Sequence, residues 1–574
     1  MTKETADSNP INDPSVKKSK KRDIKEVEEQ QDNKEKKYGT RKHPKEASAI
    51  KRQPNSGLRN PLKLETDETV FSSSSFADLK ISDKLVEVLK SPNVFNFSRP
   101  TVVQSQTIPI ISQGGDVMIK SATGSGKTLS YLIPIVQRLQ SFPTKIDRSD
   151  GAYVIILVPT RELCVQIEET LKKLLLPFFW IVPTVICGGQ KRKSEKSRIR
   201  KGANIIISTP GRLLDHALHT TSLSLQRVQM LVLDEADRLL DMGFEQQLRD
   251  LFSLLHKQIT QPLQTLLLSA TLSPAIQQLA ELSLHNPTFI DSDSLTNKQA
   301  FPSSSPNSAN ATEEKFKVPK QLRQYYIQID ASLRLPALCA FIRKELRDEN
   351  QRHCRILIFV NTCDSVAFHD ELFRELSWPG DGIDTSIVKG SLVSLHGNMP
   401  QHQRLKNLRD FCKANFATMI CTDVAARGLD IPVVDWVIQY DPPTEISEYI
   451  HRVGRTARAG KSGQSLLFLQ PSEMGMVFTL QNKGLNMRQF NFDIWFDDCV
   501  RKSGPGHKLV YAKRNHAASE IQASILRSVE ESEGLNDLAV MGFMSYCRAY
   551  ATYSKELKGA FNVRLLHFGH VAKR

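Results

Sequence analysis

Several features of other protein classes are missing from this sequence. No two of its nine cysteines stand at C-x-x-C spacing, so neither a zinc framework nor a redox dithiol is indicated. The first residues, MTKETADSNP, lack the apolar core of a signal peptide, and the longest apolar run, 174–187, is too short to span a bilayer. We therefore expect a soluble intracellular protein of a reducing compartment, with no membrane partner.

Acidic residues are in the minority. Lysine and arginine number 77 against 62 aspartates and glutamates, a formal charge of +15. This surplus indicates a polyanionic partner, either nucleic acid or an acidic membrane surface, with a merely soluble basic protein as the alternative. Segment 1–70 holds 17 basic and 13 acidic residues and almost no aromatic ones, which predicts a disordered basic tail. Its lysine clusters at 17–22 and 34–37 are typical of nuclear localisation signals or nucleic-acid contacts, or of a solvated tail.

Beyond the tail, short apolar runs alternate with amphipathic stretches, the signature of an open α/β sheet. These runs predict buried strands at 117–119, 154–158, 205–207, 230–233, 265–268, 325–329, 356–360, 391–395, 418–421, 436–438 and 465–469. A segment rich in Ser, Asn and Pro divides them into two similar sets and predicts a linker. The predicted organisation is a tail (1–70), a first α/β domain (71–291), a linker (292–318), a second α/β domain (319–490) and a helical basic extension (491–574).

A glycine-rich segment follows the strand predicted at 117–119 and opens a helical pattern. Its residues are Ser121, Ala122, Thr123, Gly124, Ser125, Gly126, Lys127 and Thr128. They match a phosphate loop, except that Ser121 stands where the general pattern has glycine. Glycines let backbone amides face phosphates, and the helix N-terminus adds a positive dipole. Lys127 would reach the β- and γ-phosphates of ATP, and Thr128 would offer its hydroxyl to magnesium.

A second polar cluster stands directly after the strand predicted at 230–233. Its carboxylates would emerge at the carboxyl edge of the sheet, where ligands bind in open α/β folds. Asp234 is placed to hold magnesium, and Glu235 is the better candidate for orienting and deprotonating an attacking water. An acidic strand-to-helix cap is the alternative interpretation.

Together with the phosphate loop, the sequence Asp-Glu-Ala-Asp at 234–237 resembles the DEAD-box RNA helicases, and about residues 70–490 carry the family's further motifs in order. The resemblance implies two tandem RecA-like parallel-sheet domains. It also implies an adenine site at Phe76, Thr101 and Gln104, in which Gln104 selects ATP and Phe76 stacks on the base. Asn96 stands where the family usually has glycine.

The same resemblance implies contacts to the RNA backbone and a set of coupling residues. The implied RNA contacts of the first domain are Pro159, Thr160, Arg161, Gly188, Gly189, Thr209, Pro210, Gly211 and Arg212. Those of the second domain are Thr362, Thr422 and Arg427. Ser269, Thr271 and His451 resemble the residues that link ATP turnover to unwinding.

The second domain has no phosphate loop and so supplies no second ATP site. Arg455 and Arg458 stand one helical turn apart and would act as arginine fingers once the domains close over ATP, although such a pair alone is more often a solvated helix face. Asp430 resembles the family's ribose contact. The expected activity is RNA-stimulated ATP hydrolysis with local, sequence-independent strand separation. An ATP-gated RNA clamp or scaffold and a DNA translocase are the alternatives.

The final segment carries an aromatic stripe, Phe543, Tyr546, Tyr550 and Tyr553, on one helix face. It predicts a helix packed on the second domain; the alternative adds an RNA-contacting basic surface. That surface would consist of Lys508, Lys513, Arg514 and Arg548. Segments 542–553 and 561–573 resemble the extension of a DEAD-box subgroup in nucleolar ribosome assembly. This resemblance implies large-subunit pre-ribosomal RNA as substrate, ribosome-assembly proteins as further partners, a monomeric core and a nuclear, nucleolar location.

Overall fold

The structure of the chain is a computed structural model. The residues it describes are 71–121, 124–189, 191–291, 318, 321–348, 351–379, 386–423, 431, 433–457, 462–501 and 514–572. The predicted tail and residues 292–317 of the predicted linker lie outside them. The boundaries assigned to the domains stay predictions, whereas the α/β class and the two sheets are confirmed.

The first half of the chain forms a seven-stranded sheet in the order β3-β4-β2-β5-β6-β1-β7, with every neighbouring pair parallel. Its strands are β1 (Val117–Lys120), β2 (Val154–Leu157), β3 (Pro183–Ile186), β4 (Ile205–Ser208), β5 (Met230–Leu233), β6 (Gln264–Ser269) and β7 (Thr288–Asp291). Its helices are α1 (Asp83–Lys90), α2 (Val102–Gln113), α3 (Lys127–Gln140), α4 (Arg161–Leu174), α5 (Arg192–Arg200), α6 (Pro210–His219), α7 (Ala236–Asp241), α8 (Glu245–Gln258) and α9 (Pro274–Ser283). Strands β2, β4, β5 and β6 are buried along their whole length, as strands between two helical layers must be.

The second half repeats this architecture with the order β10-β11-β9-β12-β13-β8-β14, again all parallel. Its strands are β8 (Leu322–Gln328), β9 (Cys354–Phe359), β10 (Ser391–Leu395), β11 (Phe416–Cys421), β12 (Trp436–Gln439), β13 (Gly463–Leu469) and β14 (Arg488–Phe490). Its helices are α10 (Ala331–Leu346), α11 (Cys363–Glu375), α12 (Gln401–Lys413), α13 (Ile446–Val453) and α14 (Gly475–Asn482). Loops at the carboxyl ends of both sheets carry the predicted motifs, which is where an open parallel sheet binds its ligands.

The C-terminal region is helical, as predicted. Its helices are α15 (Phe492–Arg501), α16 (Arg514–Glu531), α17 (Glu533–Tyr550) and α18 (Phe568–Val571). The stripe residues Tyr546, Tyr550 and Tyr553 are buried in one apolar cluster with Met476 and Leu480 of α14, so the predicted packing on the second sheet domain is confirmed. The prediction that all four stripe residues share one helix face is wrong for Tyr553, because α17 ends at Tyr550. Lys508 and Lys513 lie outside the described residues.

The sequence predicts neither paired cysteines nor a membrane-spanning segment. All nine cysteines are free thiols. Among the described helices, none combines the length and the apolar composition that crossing a membrane requires.

Candidate functional site

The phosphate loop joins β1 to α3, and its backbone geometry depends on glycine. Gly124 and Gly126 have φ of 81° and 94°, in the left-handed region that other residues rarely adopt. A Cβ at Gly126 would lie 2.7 Å from Nε2 of Gln104, so no side chain fits there. The buried Lys127 Nζ donates to the Ser121 carbonyl at 2.7 Å, which holds the ammonium group over the loop. Ala122 and Thr123 lie outside the described residues.

The predicted adenine-reading residues meet the phosphate loop at the start of α2. Thr101 and Gln104 form a reciprocal capping box, and Gln104 Nε2 also donates to the Gly126 carbonyl at 3.2 Å. This amide is therefore held beside the loop. Phe76 is 0 % exposed within the core, so its ring has no open face, and base stacking there stays a prediction. Asn96 has φ of 56°, which explains how asparagine replaces glycine at this position.

The acidic cluster lies at the end of β5, opposite the phosphate loop. The Tyr131 hydroxyl donates to Asp234 Oδ2 at 2.9 Å and is also hydrogen-bonded to Thr128, so the two predicted magnesium ligands are neighbours. Glu235 has φ of 52° and accepts from Arg238 Nη1 at 2.9 Å. The sequence reasoning missed Tyr131 and Arg238, although Tyr131 stands one helical turn after Lys127 and Arg238 one turn after Glu235.

The two adjacent carboxyl groups have opposite pKa shifts. Burial and the neighbouring Glu235 charge raise the pKa of Asp234 to about 6, although Lys127 opposes them. Burial also pushes the pKa of Glu235 up, but the cations Arg238, Arg455 and Lys127 outweigh it and lower the pKa overall. Glu235 is therefore ionised, as a base must be, whereas Lys127 offsets the burial of Asp234 only in part.

This donor set fits magnesium. Asp234 and Thr128 offer oxygen atoms, the ligand type that Mg²⁺ prefers, and the raised pKa of Asp234 is the shift that a bound cation would relieve. Among the described residues, no group of three or more His, Cys, Asp or Glu side chains could hold a metal. An ion here would thus depend on these two side chains, water and nucleotide phosphates.

The last acid of the motif, Asp237, links three predicted elements. Its Oδ2 accepts from the Ala270 backbone at 3.0 Å, between the predicted coupling residues Ser269 and Thr271. Those two are joined locally, since Ser269 Oγ donates to the Thr271 carbonyl at 2.8 Å. The same Oδ2 lies 3.9 Å from Nε2 of the buried His451, which belongs to the second sheet domain. The site therefore includes both halves of the chain, although the predicted finger Arg458 and the ribose contact Asp430 lie outside the described residues.

The predicted RNA contacts of the first domain lie at the ends of β2, β3 and β4. Pro159 and Thr160 follow β2, and the Thr160 hydroxyl caps α4 by accepting from Leu163 N at 3.3 Å. The Arg161 guanidinium lies on two glycines: a Cβ at Gly188 or Gly189 would come within 2.9 or 2.2 Å of it.

At the end of β4, Thr209 is the N-cap residue of α6, Pro210 is the first helical residue and Gly211 faces open space. A buried carboxylate holds this end of β4 beside the end of β3. Glu195 of α5 is 0 % exposed; its Oε1 accepts from Cys187 N at 3.1 Å, and its Oε2 accepts from Arg212 Nε at 2.8 Å. His216 Nε2 lies 3.1 Å from the same Oε2. Arg212 thus links α6 to Glu195 of α5, and its contact with RNA stays a prediction.

The second domain supplies fewer described RNA candidates. Thr362 caps α11, and its hydroxyl lies 2.9 Å from that of Ser545 in α17. Thr422 follows β11 and its hydroxyl is buried, while Arg427 lies outside the described residues. Arg404 of α12 reaches across to pair with the buried Glu162 of α4, an ionic contact between the two domains that the sequence reasoning missed.

The fold and this site define a nucleotide-binding protein with two RecA-like domains. Three family models match the chain: "DEAD/DEAH box helicase" at residues 101–279, "Helicase conserved C-terminal domain" at 335–460, and "ATP-dependent rRNA helicase SPB4-like, C-terminal extension" at 532–574. The chain belongs to the DEAD-box family of ATP-dependent RNA helicases.

Two curated relatives and one solved structure are similar to most of this chain. "DEAD-box ATP-dependent RNA helicase 17" of Oryza sativa subsp. japonica is 38 % identical over 549 residues, covering 90 % of this chain and 92 % of that protein. "ATP-dependent DNA helicase DDX31" of Homo sapiens is 40 % identical over 542 residues, 90 % of this chain but only 62 % of that protein. The solved structure of "Mss116p (NTE and C-tail double deletion) bound to ssRNA and AMP-PNP" has a TM-score of 0.61 and 25 % identity, covering 85 % of this chain and 90 % of that one.

Proposed function

We propose that this chain is an RNA-stimulated ATPase that separates RNA strands locally as its two sheet domains close over ATP. The observation that carries the proposal is the contact of α13, in the second domain, with the acidic motif of the first: His451 Nε2 lies 3.9 Å from Asp237 Oδ2, and Arg455 follows two residues after the end of α13. Arg455 is near enough for its charge to lower the pKa of the Glu235 carboxyl group. A finger in this position completes the site only when the domains are together, which makes closure a condition for hydrolysis.

Each group of the site has a role in phosphoryl transfer. The loop amides and Lys127 bind the phosphates, and Gln104 lies beside the loop for the base. Magnesium, held by Asp234 and Thr128, would neutralise charge on the β- and γ-phosphates. Glu235 orients the attacking water and accepts its proton, and Arg455 stabilises the charge that develops, with Arg458 as the second proposed finger.

RNA is the proposed activator because its backbone fits the carboxyl edges of both sheets. Hydroxyls, guanidinium groups and glycine backbones there can contact phosphates and sugars but carry no base code. The solved relative holding ssRNA and AMP-PNP together supports a single-stranded ligand bound with nucleotide. We expect sequence-independent binding, by a monomeric core.

Replacing Glu235 with Gln tests the proposed chemistry. The amide cannot accept the proton of water, so RNA-stimulated ATP turnover should fall at least about 100-fold while ATP still binds. Glu245→Gln, which removes an exposed carboxylate paired with Arg249, is the matched control and should keep full turnover. Unchanged turnover in Glu235→Gln would contradict the proposal.

Two alternatives have their own tests. If the chain acts as an ATP-gated clamp or scaffold whose turnover is dispensable, Glu235→Gln will complement loss of the protein in cells. A DNA substrate is favoured by the names of the relatives from Homo sapiens and Dictyostelium discoideum, both of which are "ATP-dependent DNA helicase DDX31". Stimulation of ATP turnover by single-stranded DNA as strong as that by RNA would support it.

We further propose pre-ribosomal RNA of the large subunit as the substrate and the nucleolus as the location, with ribosome-assembly proteins as partners. The support is the match of residues 532–574 to the extension of an "rRNA helicase SPB4-like" family. Crosslinking of the chain to RNA in cells should concentrate on ribosomal precursors. Sites spread evenly over messenger RNA would contradict this assignment.

A further inference from the structure

Three loops at the carboxyl edge of the second sheet converge on one buried side chain, Arg452 of α13. Its Nε donates to Asp423 Oδ1 at 2.7 Å, and its Nη2 donates to Asn361 Oδ1 at 3.0 Å. Its Nη1 donates to the Asp441 carbonyl at 2.5 Å. Arg455 N in turn donates to the Arg452 carbonyl at 3.1 Å. The position of Arg452 therefore determines where the backbone places Arg455, the proposed arginine finger.

The C-terminal extension is hydrogen-bonded to the same loops. The Tyr553 hydroxyl, three residues beyond the end of α17, donates to the Pro442 carbonyl at 2.9 Å. Asn361 Nδ2 donates to that carbonyl at 3.0 Å and lies 3.4 Å from the Tyr553 hydroxyl. Ser554 N donates to the Thr444 carbonyl at 3.1 Å, just before α13 begins.

The Tyr553 ring is held independently of its hydroxyl. It is buried and lies parallel to the ring of Phe561, with centroids 3.9 Å apart. Removing the oxygen alone therefore leaves the packing of the extension intact and changes only the polar contacts to Asn361 and Pro442. A hydroxyl buried in this way orients the groups to which it is hydrogen-bonded, here Asn361 and the Pro442 carbonyl.

We propose that Tyr553 is a positioning residue for ATP hydrolysis, through which the extension fixes Asn361, Arg452 and hence the finger Arg455. This inference rests on the proposed ATPase activity. A displaced finger costs catalysis more than it costs ground-state binding, because its charge is needed where the transition state develops. The C-terminal extension would then help to position the catalytic residues of the ATP site.

Tyr553→Phe tests the proposal against a matched control, Tyr550→Phe. Tyr550 is equally buried, but its hydroxyl donates to Glu473 Oε1 at 3.0 Å. Turnover at saturating ATP and RNA should fall about threefold to tenfold in Tyr553→Phe, with both KM values within about twofold of wild type. Tyr550→Phe should keep wild-type turnover. Thermal unfolding midpoints of both variants show whether a loss of stability accompanies either change.

A double-mutant cycle with Asn361→Ala separates positioning from a general structural role. Because Tyr553 acts through Asn361, the two turnover losses should not add. Additive losses, equal losses in the two tyrosine variants, or a change confined to the KM for RNA would each overturn the inference. If the wild-type chain itself shows no RNA-stimulated turnover, the proposed function fails instead, so the two failures are distinguishable.

Discussion

At the scale of single residues, the adjacent carboxyl groups Asp234 and Glu235 have environments that suit the two different roles proposed for them. Both end the same strand, and the cations that face Glu235 lower its pKa while the burial of Asp234 raises its own. The lowered pKa of Glu235 thus suits the proposed base, and the raised pKa of Asp234 suits a carboxyl group proposed to hold a cation. Pairs whose environments separate their pKa values in this way are typical of catalytic sites.

The raised pKa of Asp234 predicts a pH effect on magnesium-dependent ATP affinity. Because the pKa is about 6, lowering the pH through 6 protonates Asp234, which would then no longer hold magnesium as a carboxylate. Affinity should fall about tenfold between pH 8 and pH 5, where a carboxyl group of ordinary pKa would change little. Titration calorimetry at several pH values measures this. Asp234→Asn gives the baseline for titration of ATP itself, and a profile equal to that baseline would contradict the prediction.

Gly189 is predicted to be indispensable for the shape of the RNA edge. Its φ is +84°, and a Cβ would come within 2.2 Å of Arg161 Nη1. Gly189→Ala should strain the backbone, displace the guanidinium and weaken RNA affinity about tenfold, as measured by fluorescence anisotropy. Gly534→Ala, where an added Cβ meets open space, should bind RNA as wild type does. Equal affinities of the two variants would be inconsistent with this role for Gly189.

At the scale of elements, one buried carboxylate ties α5, α6 and the end of β3 together. Glu195→Gln leaves Arg212 and His216 without their charged partner, so the free energy of unfolding should decrease by about 3 kcal/mol. Chemical denaturation measures the change. Glu245→Gln, in an exposed pair, should change it by less than about 0.5 kcal/mol. If Glu195→Gln also changed the free energy of unfolding by less than about 0.5 kcal/mol, the buried Glu195 carboxylate would contribute little to stability.

The strands that sequence patterns predicted are the central ones and one edge strand, β10. Apolar runs identified the fully buried strands, for example β5 with both ends correct, and the ends of the others within three residues. The strands not predicted among the described residues, β3, β7 and β14, are all edge strands. An edge strand needs a weaker apolar pattern and tolerates Pro183 as its first residue, while β14 is largely exposed.

For the candidate site, the local motifs were predictable from the sequence, whereas the contacts between distant segments were not. The phosphate loop and the acids after β5 are local patterns whose chemistry is evident from spacing. The contacts Asp237–His451, Glu162–Arg404 and Tyr553–Asn361 join segments far apart in the chain, so no spacing rule could predict them. They depend on how two sheets and an extension pack, which is a property of tertiary structure.

At the scale of the whole molecule, the pair Glu162–Arg404 joins the two sheet domains. Glu162→Arg and Arg404→Glu should each reduce RNA-stimulated ATP turnover about tenfold, because like charges then meet where the domains approach. Combining the two substitutions restores opposite charges and should recover part of the loss. A double variant as impaired as the product of the single ones would argue against a direct pairing in the active state.

The central claim is that hydrolysis requires Arg455 of the second domain to reach the ATP site of the first. The most direct test is ATP turnover at saturating RNA for Arg455→Gln beside wild type, with ATP affinity measured in parallel. Turnover should fall about 1,000-fold, with ATP affinity little changed because the proposed phosphate and base contacts lie in the first domain. Turnover within about threefold of wild type would contradict the account.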